Sequence, residues 1–328
     1  MSKHQTILVT GCAGFIASKI TAFLLERGDI VVGVDNLNNA YHPSLKEWRL
    51  VQLQKFPEFE YERRDITHFK AIKELFQQYD FDAVMNLAAR AGVRASVEKP
   101  WVYIETNITG TLNLLELCRE FGVKKFLLAS TSSIYGESEM PFSENKQTDF
   151  QLSPYAASKK GAESLAYTYH YLYGIDLTIP RYFTVYGPAG RPDMSIFKFI
   201  HCIAEGLPIP VYGDGTQERD FTYIDDIAHG SIAALKLLGF EVINLGSDRP
   251  VKLNYVIQLI EQNLGKKAQI EFQPRHPADV PATWADISKA KELLFWRPLV
   301  SIEEGIQKTV AWYLANREWA KDVGAFEH

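Results

Sequence analysis

Thr6-Ile7-Leu8-Val9-Thr10-Gly11-Cys12-Ala13-Gly14-Phe15-Ile16-Ala17 is the stretch that decides the fold. An apolar, strand-like run enters a turn holding two glycines, and the turn enters a long segment of helical spacing. In a parallel sheet this junction is where a dinucleotide lies. The glycines let the backbone turn tightly and approach a pyrophosphate, while the helix that follows presents free N–H groups and the positive end of its dipole. The spacing is G-x-x-G-x-x-A, and many loops carry two glycines, so the turn alone identifies nothing. Asp35 adds the second observation: it closes the next strand, about 20 residues past the loop, where a carboxylate meets the adenosine ribose hydroxyls. An acid there also repels a 2′-phosphate, which selects NAD over NADP.

Outward from this junction, short apolar runs alternate with amphipathic stretches. Candidate strands at 6–10, 30–34, 59–62, 83–87, 125–129 and 176–179 are each followed by helical spacing, the pattern of βαβ units. Six such strands predict an α/β fold, a doubly wound parallel sheet of the Rossmann type. After Pro180 the texture changes to frequent Pro and Gly, as in Gly187-Pro188, Leu207-Pro208 and Gly213-Asp214-Gly215. The expected division is a nucleotide-binding domain over 1–180 and a smaller mixed α/β lobe over 181–328, with 221–246 returning to the first sheet.

The chain has 328 residues, 46% hydrophobic, and a formal net charge of -5. No Lys/Arg run exceeds two residues, so nothing is available to neutralise a phosphate backbone, and nucleic acid and polybasic membrane contact are excluded as partners. No apolar run reaches the length of a membrane span, and Met1 leads straight into a strand without a leader pattern, which predicts a cytoplasmic protein. Cys12, Cys118 and Cys202 are odd in number and far apart, and the eight histidines form no H-x-x-x-H pair. Neither a disulfide framework nor a metal site is expected.

The second chemical constellation is Tyr155-Ala156-Ala157-Ser158-Lys159, in a helical stretch where residues four apart share a face. A tyrosine titrates near pH 10 and is a poor base at neutrality, but a neighbouring cation favours the phenolate, and an oxidised nicotinamide adds another positive charge. With 16 tyrosines in the chain, about one Y-x-x-x-K arises by chance, so its place in the fold decides its worth. It opens a helix after the fifth strand, whose end is Ser130-Thr131-Ser132-Ser133-Ile134-Tyr135-Gly136, a cluster of hydroxyls where parallel sheets hold ligands. Tyr155 is therefore the candidate base for a sugar alcohol, and Thr131 the candidate hydrogen-bond partner of the reacting oxygen.

Loop, Asp35, Asn107, hydroxyl cluster and Tyr/Lys pair together resemble the extended short-chain dehydrogenase/reductases over nearly the whole chain. Five dispersed segments look more closely like the UDP-glucuronate 4-epimerases of that family: Val34-Asp35-Asn36-Leu37-Asn38, Arg90-Ala91-Gly92-Val93-Arg94, Phe183-Thr184-Val185-Tyr186-Gly187-Pro188, Gly190-Arg191-Pro192-Asp193-Met194 and Asp279-Val280-Pro281-Ala282-Thr283. Two positions depart from the usual pattern: the third loop glycine is Ala17, and His276 stands where relatives have Gln or Arg. The resemblance implies tightly held NAD, with contacts from Gly11, Ala13, Gly14, Phe15, Ile16, Asp35, Asn36, Asn38, Asp65, Ile66, Leu87, Ala88, Ala89, Asn107, Tyr155, Lys159 and Tyr182. It implies that Tyr155 takes the C4 hydroxyl proton of UDP-glucuronic acid and that a 4-keto sugar turns over to become UDP-galacturonic acid. It also implies that Lys159 lowers the Tyr155 pKa.

Sibling dehydratases and decarboxylases carry an acid directly after the catalytic Ser/Thr, whereas this chain has Ser132 and Ser133. Those serines, with Thr131 and Arg191, are candidates to hold the sugar carboxylate, since a guanidinium pairs with a planar carboxylate in a fixed fork. Thr184 stands where UDP-glucose 4-epimerases have Asn. The resemblance also implies that Arg219 grips the diphosphate, that Arg275 or Asp279 reaches diphosphate and ribose, and that Tyr212 faces uracil. UDP-glucose 4-epimerase and UDP-glucuronate decarboxylase remain the alternatives. Helices around 107–119 and 153–171 resemble those that pair in homodimers.

Overall fold

In the computed structural model, which describes residues 4–274 and 280–324, the first strand β1 (Thr6–Thr10) is buried along nearly its whole length. Its alternate side chains go to opposite faces: Ile7 and Val9 enter one core with the helix Phe15–Glu26, and Leu8 enters another with Val32, Val84 and Leu114. Strands buried on both faces read as continuous apolar runs, the mark of a parallel sheet covered by helices. With β2 (Ile30–Val34), β3 (Phe59–Glu62), β4 (Ala83–Asn86), β5 (Lys125–Leu128), β6 (Ser130–Thr131), β7 (Asp176–Tyr182), β8 (Thr184–Tyr186), β9 (Pro208–Tyr212), β10 (Glu218–Tyr223), β11 (Phe240–Leu245), β12 (Pro250–Lys252) and β13 (Gln269–Gln273), the chain builds three sheets. The main one has the order β11-β7-β5-β4-β1-β2-β3, with β6 also on β7, and all its pairs are parallel. β1 lies between β2 and β4, so the winding direction reverses there and leaves a crevice at the carboxyl ends.

The second lobe holds a three-stranded sheet, β12-β10-β8, and the parallel pair β13-β9, with a core around Phe197, Ile200, Val256 and Tyr313 that also takes in Phe15, Tyr41 and Leu45. The stretch 221–246 divides. The helix Ile224–Ala233 packs on Phe15–Glu26, where Lys19 meets Asp225 at 2.9 Å, and β11 lies beside β7 in the main sheet. Residues 221–223, expected to return as well, instead sit in β10 beside β8. β10 pairs in parallel with β8, which continues the chain from β7, and antiparallel with β12, while its fully buried Asp220 carboxylate accepts the N–H groups of Ser247, Asp248 and Ala285 at 2.5–3.0 Å and ties the strand to the chain leaving β11.

Two local features position the site. The helix Pro154–Tyr173 starts where the Ser153 hydroxyl accepts the Ala156 N–H at 3.2 Å, has Pro at its first position, and stops at Gly174 with φ 67°. That start places Tyr155 in the first turn. A continuous helical path over 100–121 contains one widened π turn, Glu105–Thr109. No helix among the described residues is long and apolar enough to cross a membrane.

Candidate active site

A cavity of about 700 Å³ opens at the carboxyl ends of β1, β4 and β6 and extends under the second lobe. At its nucleotide end the Gly11 N–H donates to Val34 O at 2.6 Å and Gly14 N–H to Gly11 O at 2.7 Å. Gly11 has φ +72°, and a Cβ there would stand 2.8 Å from the Ala88 nitrogen. Gly14, as N-cap, puts no side chain over the first turn of Phe15–Glu26, so the turn's N–H groups face the cavity uncapped. The Asp35 carboxylate, nearly buried, accepts the Leu37 N–H at 2.8 Å and lies 3.5 Å from Lys46 Nζ. Asn36 donates to Asp65 at 2.6 Å, and Asn38 accepts from Lys46 at 3.3 Å. Ile66, Leu87, Ala88 and Ala89 complete the wall with Phe15 and Ile16. Glycine cradle, uncapped helix start and ribose-end acid fit a dinucleotide.

Of the expected cofactor contacts, Ala13 and Asn107 lie outside the cavity lining and Tyr182 lies in it. Ala13 is fully buried outside the cavity lining, and its carbonyl accepts Arg49 Nη1 at 3.0 Å. Asn107, also outside the lining, donates to Arg90 O and to Ser158 Oγ and accepts the Arg90 N–H at 2.8–3.0 Å, clamping the segment after β4 to the Tyr155 helix. Tyr182 lines the cavity with its ring, but its hydroxyl is hydrogen-bonded to Ser231 Oγ at 2.8 Å.

At the chemical end, Tyr155, Lys159, Thr131, Ser132, Ser133, Thr184 and Arg191 all line this cavity. Thr131 caps the turn Ser132–Tyr135: its Oγ1 accepts the Ser133 N–H at 3.2 Å and lies 3.1 Å from Ser133 Oγ. Burial pushes the Tyr155 phenol up, against the Thr131 hydroxyl hydrogen bond and the charge of Arg191, which both lower it. The Lys159 ammonium lies one turn on, near Glu163, and burial pushes it down to about 8 while Glu163 opposes. Arg191 is thus a cation that favours the phenolate. Glu163 is itself locked, accepting from Ser130 at 2.6 Å and from Arg181 at 2.8 and 3.0 Å.

Arg191 is oriented before any ligand arrives. Nε and Nη2 donate to the two Asp193 oxygens at 3.0 and 2.6 Å, Nη2 also reaches Ala91 O at 3.3 Å, and the guanidinium lies 5.6 Å over the Tyr41 ring. One edge of the expected fork is therefore taken by Asp193, leaving Nη1 for the cavity. Tyr212 lies under the Arg94 guanidinium, 3.6 Å from ring centroid to Cζ, and Arg219 donates to the backbone at Glu218 O and Pro281 O. Sequence reasoning missed Lys46, Arg94 and Asp193 as cavity residues, although the latter two stand inside motifs it quoted. Arg275, His276 and Asp279 lie outside the described residues. No cluster of three metal-ligating side chains occurs among the described residues.

A phenol and an ammonium on one helix, beside a dinucleotide cradle at the switch point of a parallel sheet, define an extended short-chain dehydrogenase/reductase. The sequence profile of the GDP-mannose 4,6 dehydratase family matches residues 8–309. A UDP-glucuronate 4-epimerase of Thermodesulfobacterium geofontis is 60% identical over 317 residues, 96% of this chain and 98% of that one. The UDP-glucuronic acid 4-epimerase of Bacillus cereus, solved with UDP-glucuronic acid and NAD, superposes with a TM-score of 0.90 at 39% identity, over 95% of this chain and 99% of that one. The Thermotoga maritima UDP-glucose 4-epimerase, solved with UDP-glucose, gives 0.88 at 32% identity, over 95% and 99%. The chain belongs to the UDP-glucuronate 4-epimerase family.

Proposed function

We propose that this protein catalyses NAD-dependent 4-epimerisation of UDP-glucuronic acid to UDP-galacturonic acid through a transient 4-keto sugar. The observation that carries the reading is that Arg191 and Thr131 both act on Tyr155 in a cavity also lined by Ser132 and Ser133, with no acid after Thr131. Bound NAD+ supplies a hydride acceptor and, once reduced, the donor for the return step. Tyr155 as phenolate removes the C4 hydroxyl proton, Thr131 holds the same oxygen, and on the return Tyr155 gives the proton back to that oxygen on the inverted centre. Lys159 holds the nicotinamide ribose. Arg219 and Tyr212 hold the UDP remote from C4, so binding energy orients the ring without depending on which face it presents.

The 4-keto acid loses CO2 readily when its C–CO2 bond aligns with the carbonyl π system. Arg191 Nη1 and the Ser132 and Ser133 hydroxyls restrain the carboxylate outside that alignment, and no acid directly follows Thr131 to serve an enol. Exposed aromatic side chains on one of the helices expected to pair, Tyr167 and Tyr171, support a homodimer. Three separate reduced cysteines support a cytoplasmic location.

Proton NMR of the purified protein with UDP-glucuronic acid and no added cofactor tests the reading. UDP-galacturonic acid is the expected product. A UDP-pentose refutes the restraint of the carboxylate, and conversion of UDP-glucose alone refutes the acid-sugar assignment.

A further inference from the structure

Arg49 belongs to none of the residue sets above, yet its guanidinium is among the most deeply placed charges in the chain, on a residue 3% exposed. A buried cation is costly unless hydrogen bonds satisfy it. From the helix Pro43–Leu53, Arg49 sends its donors to three separate pieces of chain. Nη1 donates to Ala13 O at 3.0 Å and to the Tyr41 hydroxyl at 2.7 Å, and Nη2 donates to Ala189 O at 2.6 Å, with Gly190 O at 3.5 Å. The Phe15 and Tyr41 rings flank it at 5.8 and 5.5 Å.

Two of those pieces carry opposite halves of the site. Ala13 lies inside the turn between Gly11 and Gly14. Ala189 has φ +53°, a strained angle for a residue with a Cβ, and leads two residues later to Arg191. Tyr41 closes the circuit: its hydroxyl accepts from Arg49 while its ring lies under the Arg191 guanidinium. One planar cation thus holds the backbone under the pyrophosphate and the backbone that delivers the acid-sugar residue. A lysine ammonium, a single point charge, cannot reproduce two parallel donors aimed at carbonyls from different lobes.

We propose that Arg49 is a positioning residue that couples the cofactor turn to the loop carrying Arg191, so that each half of the site keeps its geometry only while the other does. The sugar arm of this inference rests on the proposed function; the cofactor arm does not.

The test compares Arg49→Lys and Tyr41→Phe with wild type as NAD-loaded enzymes. Measured are NAD retained through gel filtration, KM for UDP-glucuronic acid, inhibition by UDP, and the thermal midpoint. For Arg49→Lys the expected result is loss of retained NAD together with a KM increased by roughly tenfold, while inhibition by UDP changes by less than about twofold. Tyr41→Phe, which removes one acceptor and leaves the core volume intact, shifts both quantities the same way by about threefold. A role in fold support alone lowers the midpoint without that split. The proposal is overturned if Arg49→Lys moves only the midpoint, if KM and UDP inhibition change together, or if NAD retention changes without KM. Should Arg49→Lys fail to fold, Tyr41→Phe decides: wild-type retention and KM overturn the coupling. Wild-type enzyme that leaves UDP-glucuronic acid unchanged refutes the proposed function instead, and NAD retention in the two variants then decides the coupling, with wild-type retention overturning it.

Discussion

Replacing Lys159 by Met removes a charge that the fold carries at a cost. The ammonium loses its proton near pH 8 in the fold against an ordinary value of 10.5, because burial opposes the charge more than Glu163 supports it. At about 1.4 kcal/mol per pH unit, the charged side chain is disfavoured in the folded state by about 3 kcal/mol. At pH 7 it is protonated in both states and the whole cost is present. Between pH 8 and 10.5 the folded protein sheds the proton first, the unfolded chain binds more protons, and stability from this site rises with pH until the cost has vanished. Methionine is close in volume and neutral, so Lys159→Met should stabilise the NAD-free protein by about 3 kcal/mol at pH 7 and by almost nothing at pH 10.5. Turnover should meanwhile fall by about a hundredfold or more. Urea unfolding followed by tryptophan fluorescence at the two pH values measures the difference. A variant no more stable than wild type at pH 7, or a gain that persists at pH 10.5, refutes the reasoning.

Tyr155→Phe should keep NAD bound while turnover drops by roughly 10²–10⁴; single-turnover absorbance of the reduced cofactor checks it, and retained activity removes Tyr155 as the base. Arg191→Ala removes the charge that lowers the Tyr155 phenol, so the acid limb of the pH–rate profile should move to higher pH. The same variant should weaken UDP-glucuronic acid by about ten- to a hundredfold and UDP hardly at all, as titration calorimetry would show; equal losses count against carboxylate pairing. Gly11→Ala must hold a left-handed angle and push a Cβ to 2.8 Å from the Ala88 nitrogen, costing about 1–3 kcal/mol, with NAD lost on gel filtration as the readout. Sedimentation equilibrium should give a dimer at micromolar concentration, and a monomer would end that expectation.

How far the site could be read in advance follows from which contacts are local. The passage from β1 through the glycine turn into a helix, and the phenol and ammonium four residues apart, are set by neighbours along the chain, and periodicity reveals them. Asp35 is legible because strand geometry fixes where its carboxylate goes. The capture of Arg191 by Asp193, two residues on, is local too, but its backbone is irregular and no period announces which way the two side chains turn. Arg94 over Tyr212 joins residues from different lobes, and nothing in either segment names the other. Ala13 sits in the turn, where the sequence points to the cofactor, and only the folded turn shows that its methyl enters the core. Residues 221–223 have the apolar texture of a main-sheet strand, and their pairing with 184–186 joins segments far apart in the chain that no local pattern links.

The π turn at Glu105–Thr109 acts as a phase shifter. One additional residue in a helical turn rotates everything beyond it by about 100° relative to an unbroken helix. Before the turn, Tyr103 directs its ring edge-to-face toward Tyr155 at 6.1 Å; after it, Leu114, Leu115 and Cys118 fill the core beneath the sheet. A regular helix through the same points would present one of those faces correctly and misplace the other. Deleting a residue from 105–109 other than Asn107, whose side chain clamps Arg90 to Ser158, would therefore rotate one face against the other, which puts the length of this segment under constraint alongside that asparagine.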